Sequence, residues 1–68
     1  MNDWINIYET NLPWQAELIK AVLEEHDVPA VVLNSKDSAY QFGVVQVLVQ
    51  LQNKQTAEAI LLSVAGQI

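Results

Sequence analysis

Cysteine is absent from the chain, and so is arginine. Without thiols there is no disulfide framework and no thiolate metal site. A single histidine removes the His-cluster alternative. Three lysines against eight acidic residues leave a net charge of −5. Binding to nucleic acid depends on a basic patch that neutralises phosphates, and three scattered lysines do not build one. An anionic membrane surface is disfavoured for the same reason. No apolar run approaches the roughly 18 residues of a membrane-spanning helix. The opening stretch MNDWINIYE has neither the basic start nor the apolar core of a secretory signal. The expectation is a soluble cytoplasmic protein with no metal, no cofactor, no nucleic-acid partner and no membrane partner.

What remains is a hydrophobic fraction of 51%, which argues against disorder. The 68 residues are expected to form one domain, residues 1–68. A chain of this size buries only about 60% of its unfolded surface. Disulfides, metals or self-association usually supplement so small a core. With the first two excluded, a homo-oligomer is expected, a dimer above other states.

Along the chain, WINIYE (4–9) alternates as a strand, with β-branched and aromatic residues. TNLP (10–13) is a helix start, in which Thr10 or Asn11 can cap and Pro13 suits the first turn. Strong helix formers follow over 14–26. At about 100° per residue, Glu17, Lys20 and Glu24 share a wet stripe, while Leu18, Ile19, Val22 and Leu23 lie opposite. Trp14 and Ala21 widen the apolar arc past half the wheel. Asp27 and the pre-proline Val28 favour a break.

AVVLN (30–34) predicts a short strand, and VVQVLVQL (44–51) a longer one. In the latter, Val45, Val47, Val49 and Leu51 share one face; Val44, Gln46, Leu48 and Gln50 share the other. Asn53 is placed to cap a second helix, KQTAEAILLSVA, with Ala57, Ile60, Leu61 and Val64 on its apolar side and Gly66 at its end.

The order β-α-β-β-α predicts an α+β two-layer sandwich. Its first three elements form a split β-α-β unit with a right-handed crossover. The last strand then inserts between the first two. This gives a ferredoxin-like domain with an antiparallel three-stranded sheet, order 1-3-2, and both helices on one face.

Several stretches carry a resemblance: YET, then AELIKAVLEEHDVPAVVLNSKDSAYQFG, then VQVLVQ. Together they are similar to a small bacterial domain family, the putative prokaryotic signal-transducing proteins, whose fold resembles the PII-like, ferredoxin-like signalling domains. The likeness runs over nearly the whole chain. It implies a regulatory or binding role rather than a reaction, and it carries over no catalytic residues.

Two surfaces are candidates for that role. The first is the polar stretch NSKDSAYQFG between the last two strands. Asn34, Ser35, Asp37 and Ser38 are turn formers, and Tyr40 and Phe42 are suited to anchor the loop on the core edge. As a binding loop it would offer Asn34, Lys36, Asp37, Ser38 and Tyr40 to a ligand or partner. A small-ligand sensor with a pocket near residues 34–43 is therefore the alternative to a protein-binding module.

The second candidate is the open face of the sheet. If Ile5 and Ile7 face the helices, then Trp4, Asn6 and Tyr8 face away, beside Val44 and Leu48. Trp4, Tyr8, Val44 and Leu48 thus form a candidate oligomer face, richer in apolar area than a free monomer tolerates.

His26 at the end of the first helix reads as a C-terminal cap in favourable contact with the helix dipole. A catalytic base would need a partner nucleophile, and the candidates are ordinary serines and a tyrosine, so an enzyme is not expected. Glu24, Glu25 and Asp27 crowd the same helix end but match no calcium-loop spacing.

Overall fold

A computed structural model describes residues 3–35 and 44–65. The elements are β1 (Trp4–Thr10), α1 (Pro13–Glu25), β2 (Ala30–Ser35), β3 (Val44–Gln50), a single 3₁₀ turn (Leu51–Asn53) and α2 (Lys54–Ala65). The sheet has the order β1-β3-β2, and both pairings are antiparallel. The ferredoxin-like arrangement expected from the element order is the one observed.

The core is made where the α1 and sheet periodicities meet. Ala16, Ile19 and Leu23 of α1 are buried against Val45, Val47 and Val49 of β3, with Val28, Ala30 and Ala57 closing the ends. Ile60, Leu61 and Val64 of α2 pack onto this cluster, as their spacing predicts. Each fully buried large aliphatic side chain stabilises the fold by about 1.5–3 kcal/mol. So few such residues cannot carry a large surplus over chain entropy.

Three details depart from the periodicity reading. The strand β3 ends at Gln50. The Leu51 amide donates to the Asp3 carbonyl, and the chain turns into the 3₁₀ segment, so Leu51 is 55% exposed instead of continuing the valine face. On α1, Leu18 is exposed rather than sharing the buried side with Ile19 and Leu23. The buried arc runs from Ile19 through Leu23 to Ala16, about 60° wide, so Ala16 flanks Leu23 on the side away from Leu18.

The helix also starts differently. Leu12 is the N-cap residue, with no side-chain cap bond, and Pro13 occupies the first turn. Neither Thr10 nor Asn11, the two expected caps, holds that position; the Thr10 hydroxyl accepts the Leu12 amide at 3.1 Å and donates to Gln15 Oε1 at 2.7 Å.

The end of α1 is closed by a Schellman motif. The Val28 amide donates to the Leu23 carbonyl at 2.9 Å, and the Asp27 amide to that of Glu24 at 3.0 Å. Asp27 holds the left-handed conformation that this requires, with φ 62°. Val28 and Leu23 are both buried, which supplies the apolar contact that accompanies the motif. His26 is the C-cap residue, as its position suggests.

Candidate functional site: the open sheet face

β1 contains a bulge. Trp4, Ile5 and Asn6 pair with Gln50, Val49 and Leu48, and then Tyr8, not Ile7, pairs with Val47. Opposite residues of an antiparallel pair share a face. Tyr8 therefore lies with the buried Val47 on the helix side, and so does Thr10, which pairs with Val45. Ile7 and Tyr8 both pack on the core. The Tyr8 hydroxyl donates to Gln15 Oε1 of α1 at 3.3 Å.

The expectation that Tyr8 joins Trp4, Val44 and Leu48 on the open face is corrected by this extra residue. A bulge shifts the alternation by one position, so everything after Asn6 changes side. Glu9, not Tyr8, is the outward residue of that half of β1, opposite Gln46.

The open face consists of Trp4, Asn6 and Glu9 on β1, Val44, Gln46, Leu48 and Gln50 on β3, and Val31 and Leu33 on β2. It divides into two halves. Leu48 stands opposite Val31 on one side and Asn6 on the other. The apolar half spreads from Leu48 over Val31 and Leu33, 39% and 48% exposed, to Val44. These two β2 residues belong to the face and escape the β1-centred reading of the sequence; the signal for them is the period-2 placement of Val31 and Leu33 in AVVLN.

The polar part centres on Asn6, Glu9 and Gln46, with Trp4 at the far end of β1 opposite Gln50. Gln46 Nε2 donates to Glu9 Oε2 at 2.9 Å, and Asn6 Nδ2 to the same oxygen at 3.3 Å. Asn6 Oδ1 accepts the Tyr8 amide at 3.2 Å, across the bulge. Glu9 Oε2 thus accepts from two side-chain amides, one on its own strand and one on β3.

Of the candidate loop residues, Asn34 lies at the end of β2, paired with Val45 and exposed. Lys36, Asp37, Ser38 and Tyr40, with Phe42, lie outside the described residues. A second apolar exposure runs along the outer side of α1, where Trp14 is 59% exposed beside Leu12 and Leu18.

His26 lines an open cleft with Thr56, Ala59, Ile60, Ser63 and Val64, and among the described residues no hydrogen bond joins its ring to a hydroxyl. Glu24 and Asp27 border a shallow depression with Val28 and Pro29. Among the described residues, no group of three acidic, histidine or cysteine side chains is placed to hold a metal ion. No described helix is long and apolar enough to cross a membrane.

Neither curated proteins nor solved structures gave a match to this chain. One family does match, over residues 4–64, from the first residue of β1 to the last turn of α2. That span takes in the whole sheet and both helices, and the chain belongs to the family described as "Putative prokaryotic signal transducing protein".

Proposed function

We propose that the chain is a small non-enzymatic regulatory module that works in signal transduction by binding a partner protein on the open face of its sheet. The observation that carries this reading is the apolar half of that face, Val31, Leu33, Val44 and Leu48, beside the hydrogen-bonded Glu9 carboxylate. An antiparallel sheet with one face covered by helices ordinarily turns polar residues to water on the other. Here Val31 stands opposite Leu48, and Leu33 and Val44 share the same face around Gln46; apolar surface beside polar groups is typical of protein contact sites. The family description agrees with a signalling role. The net charge of −5 and the lack of arginine favour a protein partner over nucleic acid or an anionic membrane. The cytoplasm of a bacterial cell is the compartment that fits.

The test compares proteins captured from source-cell lysate by the parent chain and by Leu48→Lys. A partner retained by the parent and lost by the variant, at unchanged melting temperature, supports the proposal. Identical captured sets would sink it. A metabolite that raises the melting temperature of the parent, with the effect lost in Lys36→Ala, would assign a ligand sensor acting near residues 34–43 instead.

A further inference from the structure

The two edges of the sheet are not alike. β1 is interrupted by the bulge at Ile7, carries Glu9, and follows Asp3. Bulges and charges are the usual guards that stop an edge strand from pairing with another chain. β2 has neither. All six of its residues, AVVLNS, pair with β3 in unbroken register, and none is charged. Among the described residues no element lies along its other side. An edge of this kind presents a row of backbone donors and acceptors that an added strand satisfies.

We infer that a second copy of this chain pairs with β2, edge to edge and antiparallel, with Val32 on the two-fold axis. The side chains select this occupant over an arbitrary extended peptide. In an antiparallel pair the helices of both copies stay on one side only if like-facing residues stand opposite. Centring on Val32 meets that condition. It sets Val31 against the partner's Leu33, Leu33 against the partner's Val31, and Ala30 against the partner's Asn34. Two aliphatic pairs form on the open face, between residues that are 39% and 48% exposed in the single chain. In a molecule of net charge −5, this uncharged strand is also a place where two copies meet with no like charges opposed within the ladder.

The result is a six-stranded sheet, order β1-β3-β2-β2-β3-β1, whose two open faces are continuous. Strand spacing and rise give a single three-stranded face a flat area of about 300 Å². Stable protein interfaces bury about 800 Å² on each partner. Pairing at β2 brings the face much nearer to that size. The pairing itself does not depend on the partner-binding reading, and its test uses no partner protein.

The chain has no native cysteine, so introduced thiols report proximity without background. Residues directly opposite across an antiparallel pair lie within disulfide reach, whereas diagonal neighbours are farther apart. A mixture of Val31→Cys and Leu33→Cys protein should form a mixed disulfide dimer several-fold faster than either variant alone. Leu48→Cys, at the centre of the face, should stay unlinked. Light scattering should give the mass of two chains for the parent and of one chain for the double variant Val31→Lys, Leu33→Lys. A one-chain mass for the parent up to millimolar concentration overturns the inference. Cross-linking through Leu48→Cys with none from the mixture also overturns it, because the copies would then stack face to face. Circular dichroism checks that the variants fold; should they not, the parent mass, and deuterium protection of β2 amides that rises with concentration, decide the question.

Discussion

The Tyr8 hydroxyl and the Thr10 hydroxyl donate to the same atom, Gln15 Oε1, at 3.3 and 2.7 Å. Two residues of an edge strand are thereby tied to the first turns of α1, and Tyr8 is identified as a residue of the helix side. Tyr8→Phe removes one of the two donors but leaves Gln15 satisfied by Thr10. It should cost about 0.5–1 kcal/mol, the low end for a lost hydrogen bond. Tyr8→Ala also removes a half-buried ring and should cost about 1.5–3 kcal/mol. Urea denaturation measures both; a Tyr8→Ala midpoint equal to that of the parent would return the ring to the open face.

Leu23 and Leu18 offer a paired test of the α1 orientation. Leu23 is fully buried and Leu18 is 42% exposed. Leu23→Ala should cost about 2–5 kcal/mol, a large part of the stability of so small a domain. Leu18→Ala should change it by less than about 1 kcal/mol. Equal losses in a denaturant titration would mean that the helix is rotated from the orientation described.

Asp27 occupies a conformation that suits glycine, at φ 62°, and sets a carboxylate beyond the C-terminal end of α1. Both the backbone geometry and the helix dipole oppose it. Asp27→Gly should stabilise the fold by about 0.5–1 kcal/mol and raise the melting temperature by a few degrees. Asp27→Asn removes only the charge, so it should give a smaller gain. A fall in melting temperature for the glycine variant would show that the Asp27 side chain makes a contribution of its own.

With eight acidic residues, three lysines and no arginine, the chain should show no micromolar affinity for DNA or RNA at physiological salt. A gel-shift titration checks this directly.

Element order and strand order could be read from the sequence because each rests on a strong periodic signal. Val45, Val47 and Val49 alternate without interruption, and the β-α-β-β-α order leaves one simple place for β3. The positions that could not be read are those where a single residue changes the phase. No glycine or proline marks the bulge at Ile7, so strict alternation carries Tyr8 to the wrong side. Leu51 continues the valine pattern by one step and its amide still bonds to the Asp3 carbonyl, but the chain bends there into the 3₁₀ turn Leu51–Asn53. Ala16 is too small to weigh in a hydrophobic wheel, yet with Leu23 and Ile19 it defines the arc that α1 buries. Val31 and Leu33 were visible as a strand, but their place on the open face follows only once β2 is set in register with Leu48 and Gln46.

Ile7 stands opposite no single residue of β3, and this gives β1 one site where its length is negotiable. Deleting Ile7 would bring Asn6 and Tyr8 together, and their partners Leu48 and Val47 are already adjacent. Every other pair would keep its partner and its face, so the change would lose one partly buried isoleucine and nothing of the strand's polarity. Deleting Ile5 or Glu9 instead would leave a neighbouring stretch facing the wrong way. Position 7 is thus the place where β1 can lose a residue without turning its open face inside out.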